Sequence, residues 1–257
     1  MQYKKVLIER TERVGIIRLN DPDRLNATTY ELLEELDAAL TEVAMSARAI
    51  ILTGVGRAFC AGGDLESLKR NESDVGTGLE SHVNPLLSRL RELAIPWITS
   101  VRGAAVGLGC AIALAGDLVI ASEKAYFTQA FSRVGLVPDG GSTYLLTRGL
   151  SRARAMEMML LGDKISAQKA LEWGLINRVV PDELLEETSQ EIALRLADGP
   201  TAALRSTRRG IWRALDSNWE TALRAEREAQ REAGLTADFK EGLASLLEKR
   251  APRFTGS

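Results

Sequence analysis

Short apolar runs that alternate with helical patterns restrict the fold of this chain more than any other feature of its sequence. Three such runs contain no charged side chain, namely "AIILTG" at 49–54, "WITSV" at 97–101 and "LVIAS" at 118–122. Runs of this kind are typical of parallel strands, because helices cover both faces of a parallel sheet. Since crossover helices connect such strands, the alternation predicts an α/β fold.

The segments around these runs add further predicted elements. A hairpin near the N-terminus is predicted from "KKVLIER" and "VGIIRLN", and short strands are expected around 126–131. A helix is predicted after Thr28, which would form a capping box with Glu31. Its apolar residues recur at helical spacing, at Leu33, Leu36, Leu40 and Val43. Other helices are predicted at about 79–94 and at 107–115.

From about residue 182 onward nearly every segment has a helical pattern. Helix N-terminal caps are predicted there at two places, Ser217 with Glu220 and Asp238 with Glu241. We therefore divide the chain into a core at 1–195 and a helical section at 196–257. This section is expected to pack on the core or on a neighbouring subunit.

Charge and hydropathy exclude several classes of protein. The formal net charge is −2, so the bulk charge does not indicate a nucleic-acid partner. The longest apolar stretches, such as 110–115, are far shorter than the roughly 20 residues that cross a bilayer. The N-terminus "MQYKKVLIERTERVG" alternates charged and apolar residues, unlike a signal peptide. We expect a cytoplasmic protein without a membrane segment.

Side chains that bind metals or act as nucleophiles are scarce. His82 is the only histidine, and we expect it to be exposed or partly packed on a helix. Cys60 and Cys110 lack the paired spacing of a metal site and are too few for a disulfide scaffold. No histidine is placed by the sequence to activate them, so buried packing is expected for both. We predict no metal site.

Two glycine-rich turns follow predicted strands, "GRAFCAGGDL" at 56–65 and "VRGAAVGLGCAIALAGD" at 101–117. A small-residue turn that leads into a helix leaves backbone N–H groups unpaired, and these can bind an anion. Dinucleotide binding is disfavoured because Ile112 stands where the third small residue of that motif is needed. Tight packing of helix on strand, which glycine also permits, remains the alternative.

The carboxylates near these turns allow more than one interpretation. Asp139 in "GLVPDGGST" follows a proline and two apolar residues, so partial desolvation could raise its pKa toward that of a useful base. A solvated turn aspartate or a cap on the helix over "STYLL" is equally compatible with the residues alone. Asp64 is expected to cap the helix after the first turn. Glu66 and Lys69 are candidates for the entrance of the site.

Several motifs in a fixed order resemble the crotonase (enoyl-CoA hydratase/isomerase) superfamily. They are "DRLNA", "GRAFCAGGDL", "VRGAAVGLGCAIALAGDLVIAS", "FSRVGLVPDGGSTYLL", "AQKALEWGLINRVV" and "DFKEGLASLLEKRAPRF". The resemblance implies a spiral of ββα units with a helical C-terminal section that forms trimers or dimers of trimers. It also implies an acyl-CoA thioester as substrate and no further cofactor.

The resemblance assigns roles to main-chain groups in both turns. In this family one backbone N–H from each turn binds the thioester oxygen, and these fall on Gly63 and Leu108. Donors placed where negative charge develops on an enolate lower the barrier to its formation. The CoA portion would be held by main chain at five positions, Arg24, Leu25, Ala27, Ala61 and Gly62.

The acidic positions of the family separate its reactions. Hydratases of the family use two glutamates, and their positions carry Ala111 and Phe131 here. Neither side chain can activate or protonate a water molecule, so hydration is disfavoured. Asp139 matches the carboxylate of several enoyl-CoA isomerases, and its segment resembles the ring-1,2-epoxyphenylacetyl-CoA isomerase branch. We predict an isomerase in which Asp139 moves a proton from the α to the γ carbon.

Two other readings remain open at this point. Another crotonase reaction, such as hydration, thioester hydrolysis or decarboxylation, would use the same oxyanion site with a different acid or base. A non-catalytic relative that binds CoA or RNA would have lost its acids. The near-neutral charge argues against RNA, and Asp139 argues against loss of catalysis.

Overall fold

A six-stranded sheet forms the centre of the molecule in the computed structural model, which describes residues 3–11, 13–64, 66, 69 and 74–257. Its strand order is β1-β2-β3-β4-β6-β9. The predicted N-terminal hairpin is confirmed by the antiparallel pairing of β1 with β2, and all later neighbours pair in parallel. The strands of this sheet are β1 Val6–Thr11, β2 Val14–Leu19, β3 Ala49–Gly54, β4 Trp97–Val101, β6 Leu118–Ser122 and β9 Arg178–Val180.

A second, three-stranded sheet has the order β5-β7-β8. Its strands are β5 Ala104–Val106, β7 Tyr126–Thr128 and β8 Ile165–Ser166. The strand predicted around 126–131 ends at Thr128, because the chain then enters a helical turn at Ala130–Val134. This small sheet carries the second glycine-rich turn directly after β5.

Helices connect the strands and continue after the last of them. In chain order they are α1 Tyr30–Ala44, α2 Asn84–Glu92, α3 Leu108–Leu114, α4 Ser142–Gly149, α5 Arg152–Leu161, α6 Ala167–Glu172, α7 Leu185–Ala197, α8 Thr201–Leu215, α9 Trp219–Gly234 and α10 Ala237–Leu247. Helical turns at Gly76–Gly78 and Leu79–Val83 precede α2, and the second has π spacing. Shorter 3₁₀ turns lie at Pro22–Arg24 and Asp182–Leu184.

The large sheet is covered on both faces, as its apolar strands require. The predicted stripe of α1, including Leu36 and Leu40, is buried in the larger core cluster. Other side chains of the strands, such as Ile51 and Ile98, form a smaller cluster together with Ile192 of α7. No helix among the described residues is both long and apolar enough to cross a membrane.

The predicted cap of α1 is wrong by one residue. Thr29 caps the helix, and its side chain accepts a hydrogen bond from the Leu32 N–H at 3.2 Å. Thr28 is unavailable because its backbone forms a parallel bridge with Gly63. The cap therefore moves one residue along the chain so that the preceding residue can pair with the first glycine-rich turn.

Both predicted caps in the C-terminal section are also wrong. Asn218 caps α9 by accepting from the Thr221 N–H at 2.9 Å, whereas Ser217 was expected. Thr236 caps α10, whereas Asp238 was expected. The buried Asp238 carboxylate accepts hydrogen bonds from the N–H groups of the C-terminal tail instead, from Thr255 at 2.7 Å and Gly256 at 2.9 Å.

Candidate functional site

The two glycine-rich turns lie side by side. The Cys60 N–H donates to the Ala104 carbonyl at 3.0 Å, and the Val106 N–H donates to the Cys60 carbonyl at 3.0 Å. Gly62 has φ +86°, and a Cβ there would lie 2.5 Å from the Val106 carbonyl oxygen and 3.6 Å from the Leu108 nitrogen. Glycine is therefore required at this contact, and it brings the first turn against the start of α3.

The N–H groups of Gly63 and Leu108 have no hydrogen-bond acceptor among the residues that the structure describes. Gly63 is bridged to Thr28, but the hydrogen bonds of that bridge use the Gly62 carbonyl and the Asp64 N–H and do not involve the Gly63 N–H. Leu108 is the first residue of α3, where no carbonyl of the helix can accept its N–H. Both predicted donors are thus available to a ligand oxygen.

The loop before α1 is fixed against the first turn by Asn26, which the sequence reasoning missed. Its fully buried side-chain amide donates to the carbonyls of Val55, Ala58 and Phe59 at 3.0, 2.9 and 3.2 Å, and its Oδ1 accepts from the Asp21 N–H at 2.8 Å. Asn26 also has φ +56°, a conformation that asparagine adopts more readily than most residues. An asparagine in the turn-like "DRLNA" is the local signal for this role.

The five residues predicted to hold CoA through main chain come together along this loop. The Ala61 N–H donates to the Leu25 carbonyl at 2.9 Å, and the Ala27 N–H donates to the Arg24 carbonyl at 3.1 Å. The Gly62 carbonyl accepts from the Thr28 N–H at 2.8 Å. Loop and turn therefore form one continuous backbone surface beside the Gly63 N–H.

Asp64 is buried and accepts a charge-assisted hydrogen bond from the Arg24 guanidinium. This ion pair is a side-chain contact between the same loop and the first turn, in addition to their backbone hydrogen bonds. The cap predicted for Asp64 concerns a segment that lies outside the described residues. Glu66 and Lys69 are exposed, and their proposed place at an entrance stays a prediction.

The turn that carries Asp139 contacts α3 through Gly140, the residue that follows Asp139. Gly140 has φ +57°, and a Cβ on it would lie 2.6 Å from Leu108 Cδ1 and 3.0 Å from Ala111 Cβ. The Asp139 turn therefore packs directly on the helix that begins with the Leu108 donor. Gly141 precedes α4 without a side-chain cap, so the Asp139 carboxylate does not cap that helix.

The environment of the Asp139 carboxyl favours a proton acceptor near neutral pH. Its Oδ1 atom is shielded from solvent and has no hydrogen-bond partner in the described part of the chain. Burial raises the pKa of Asp139 to about 6, because desolvation disfavours the charged form. At neutral pH most of the molecules then carry a carboxylate that is poorly solvated and ready to take a proton.

The two positions where related hydratases carry glutamate are apolar and close to the turns. Ala111 is fully buried on α3, in contact distance of the Asp139 turn. The Phe131 ring covers Gly107, since a Cβ on that glycine would lie 3.4 Å from the ring. Both side chains are apolar and offer no acid or base near the Leu108 N–H.

The remaining candidate side chains have structural environments. Burial raises the pKa of both thiols, Cys60 and Cys110, to about 12, so neither is a thiolate nucleophile near neutral pH. His82 is partly packed, as expected: its ring stacks on Tyr30 with a centroid distance of 4.3 Å, and its Nε2 lies 3.0 Å from Glu34 Oε1. Its contacts therefore join the π turn to α1.

Comparisons with known proteins agree over almost the whole chain. The family model described as enoyl-CoA hydratase/isomerase matches residues 9–257. A protein named 1,2-epoxyphenylacetyl-CoA isomerase from Escherichia coli (strain K12) is 44% identical over 95% of each chain. One named "Probable enoyl-CoA hydratase" from Rhodobacter capsulatus is 41% identical over 100% of each chain. A crystal structure titled enoyl-CoA hydratase subunit I from Geobacillus kaustophilus superposes with a TM-score of 0.93 at 36% identity, covering 100% of both chains.

Proposed function

Since this chain belongs to the enoyl-CoA hydratase/isomerase family of crotonase-fold enzymes, we propose that it shifts the double bond of an enoyl-CoA thioester, with Asp139 as the proton carrier. The substrate class and the shared enolate chemistry follow from the family. The choice of isomerisation follows from the carboxylates that this chain has and lacks.

The reaction begins when the Asp139 carboxylate removes a proton from the α carbon of a 3-enoyl thioester. The electron pair of that C–H bond moves toward the thioester carbonyl, and negative charge develops on its oxygen. The N–H groups of Gly63 and Leu108 donate to this oxygen, and each such donor is worth about 3 to 4 kcal/mol in comparable sites. The Asp139 carboxyl then returns the proton to the γ carbon, which leaves the double bond between the α and β carbons.

One observation carries this choice of reaction. Asp139 is a half-buried carboxyl whose Oδ1 has no partner among the described residues, and its turn packs through Gly140 on the helix that begins at Leu108, whereas Ala111 and Phe131 offer no second acid. A proton shuttle needs a single carboxylate, while hydration needs water to be activated at one carbon and a proton to be delivered at the other. The set of side chains supports isomerisation over hydration.

The identity of the 1,2-epoxyphenylacetyl-CoA isomerase relative supports a second candidate substrate. This relative is 44% identical over nearly all of both chains. An aryl epoxide thioester is therefore a specific alternative to a linear enoyl thioester as substrate. Both candidates are isomerisations of a CoA thioester, so the same assay series covers them.

The remaining parts of the proposal concern binding and assembly. The main chain at Arg24, Leu25, Ala27, Ala61 and Gly62 would hold the CoA portion, and no other cofactor takes part. The helical section at 196–257 would join subunits into a homotrimer or a dimer of trimers around the core at 1–195. We place the protein in the cytoplasm, with no nucleic-acid or membrane partner.

Asp139→Asn tests the mechanism because it removes the base and keeps the shape of the side chain. With a 3-enoyl-CoA substrate, absorbance of the conjugated 2-enoyl thioester should appear for the native chain. We expect kcat for the variant to fall by at least about 10²-fold, the typical contribution of a general base. CoA binding, measured by calorimetry, should be unchanged.

The kcat/KM of the native chain should fall as pH drops below about 6, because protonated Asp139 cannot accept the α proton.

Two results would contradict the mechanism. Wild-type turnover by Asp139→Asn would show that Asp139 is not the base. Efficient hydration of 2-enoyl-CoA by the native chain would show that a water is activated despite Ala111 and Phe131. If the native chain turned over the aryl epoxide thioester but not 3-enoyl-CoA, the proposed role of Asp139 would stand and the proposed substrate would change.

A further inference from the structure

A cleft of about 640 Å³ lies between α8 and the C-terminal end of α2, away from the residues assigned to the thioester. Its walls carry five arginines and one tryptophan, Arg91, Arg205, Arg208, Arg209, Arg213 and Trp212. Among the described residues, Glu92 is the single carboxylate that lines it. In a chain with a net charge of −2, this is a strong local excess of positive charge.

Arg208 fixes the geometry of the cleft. It is 7% exposed, and its Nε lies 2.7 Å from both carboxylate oxygens of Asp117. Its other nitrogens donate to the carbonyls of Leu90, Arg91 and Leu93 at 2.5–2.8 Å. The charge of Arg208 is thereby balanced, and α8 is held rigidly against the end of α2.

Three arginines of α8 are not balanced in this way. Arg205, Arg209 and Arg213 are exposed and follow one another at four-residue spacing, so they share one face of the helix about 6 Å apart along its axis. Among the described residues no carboxylate lies within ion-pair distance of any of them. Like charges at this spacing repel each other, so an anion bound between them would remove an unfavourable interaction.

The far side of the cleft is closed by a paired and stacked arginine. Arg91 forms an ion pair with Asp216, and its guanidinium carbon lies 5.1 Å from the centre of the Trp212 ring. Trp212 therefore has a fixed position and gives the cleft a flat apolar wall beside the free guanidinium groups. A rigid cleft with several guanidinium groups that have no ion-pair partner in the described part of the chain suits a phosphorylated anion, because arginine binds phosphate oxygens through two parallel hydrogen bonds.

We propose that this arginine cleft binds a small organic or inorganic anion that carries two or more phosphate groups, at a site separate from the one for the thioester. One phosphate can contact two neighbouring arginines, and a second phosphate reaches the third. The phosphates could belong to a free nucleotide or to a second CoA molecule, which present the same chemistry to the cleft.

Titration calorimetry of the full chain with inorganic pyrophosphate tests the site at low ionic strength, where screening is weak. We expect one saturable site per chain. The triple variant Arg205→Gln, Arg209→Gln, Arg213→Gln should weaken binding by about tenfold or more, since it removes several hydrogen bonds to a charged ligand. The matched control replaces three exposed arginines outside the cleft, Arg152→Gln, Arg178→Gln and Arg195→Gln, which changes the net charge equally and should leave binding intact.

Further titrations identify the source of the phosphates. Arginine-dependent binding of ADP indicates a nucleotide, and a second equivalent of CoA that disappears in the triple variant indicates CoA. Equal weakening by the control variant would show non-specific attraction and overturn the site, as would the absence of arginine-dependent binding for all three probes. A lower oligomeric mass of the triple variant with no anion binding by the native chain would instead make this face a contact between chains.

Discussion

At the scale of single residues, Asp139 combines a charge with surroundings that solvate it poorly. Burial raises its pKa to about 6 from the ordinary aspartate value of 3.8, so the folded chain binds this proton more tightly than the unfolded chain. Between these two pH values the folded state holds more protons, and stability decreases as pH rises through the window. The burial that would make Asp139 a useful base therefore lowers the stability of the fold at neutral pH.

Asp139→Asn should accordingly stabilise the protein at pH 8 while it lowers kcat. We expect a gain of about 1 kcal/mol after allowance for the partial exposure of the carboxyl, or roughly 2–4 °C in Tm for a chain of this size. The difference should shrink as pH falls through 6 and vanish below about 4. Thermal unfolding of both proteins across this range measures the effect. The exposed Asp23→Asn is the control, and an equal gain from it would refute the burial argument.

Local chemistry explains which turns could be found from the sequence: those that hold Gly63, Leu108 and Asp139 are marked by small residues and, in one case, a proline. The roles of these three residues come from the resemblance to the crotonase superfamily and stay predictions. The helix caps were missed by one or two residues because "TT", "SN" and "TAD" each offer adjacent candidates, and tertiary contacts select among them. Asn26 was missed because three of its hydrogen bonds join it to residues 29–33 positions away.

At the scale of elements, the contact between the first turn and α3 sets the separation of the two N–H donors. A Cβ on Gly109 would lie 2.4 Å from the Cys60 carbonyl oxygen and 2.7 Å from Cys60 Cβ. The oxygen belongs to the backbone bridge between the turns and cannot rotate away. Gly109 therefore determines how closely the helix that starts at Leu108 approaches the turn that contains Gly63.

Gly109→Ala should separate the two turns and misplace the donors. We expect kcat to fall by about 10- to 10²-fold with a smaller change in KM, since small errors in the position of catalytic groups are costly. Overpacking should also lower the free energy of unfolding by about 1–3 kcal/mol. Gly210→Ala is the matched control, because a Cβ on this glycine of α8 meets no atom within 4 Å. Wild-type kcat in Gly109→Ala would show that this contact does not position the donors.

The element order was predictable, whereas the strand arrangement was only partly so. The uncharged β3, β4 and β6 were predicted as buried parallel strands, and each is. Nothing in the residues of β5 and β7 indicated that they would leave the large sheet and form a second one. Their pairing depends on the sharp turn after β4, where Gly103 has φ +61° and approaches the Arg57 carbonyl.

At the scale of the whole molecule, the C-terminal section exposes more apolar surface than a solitary domain requires. Leu235, Leu246 and Leu247 are each at least 75% exposed, and Phe239 and Leu243 are half exposed. Large exposed apolar groups in one section mark a contact with another protein surface. A second copy of the chain is the occupant that the proposed trimer provides.

Leu246→Glu combined with Leu247→Glu tests this assembly. Both side chains are exposed within one chain, so the substitutions should leave the fold and its circular dichroism unchanged. Charges placed in an apolar interface are costly to desolvate, and we therefore expect the mass in solution to fall from three or six times 28.0 kDa toward that of one chain. Met45→Glu is the control, because the Met45 side chain is 79% exposed and lies outside the C-terminal section. This variant should keep the native mass. A native chain that is already monomeric, or a double variant of native mass, would show that α10 does not hold the subunits together.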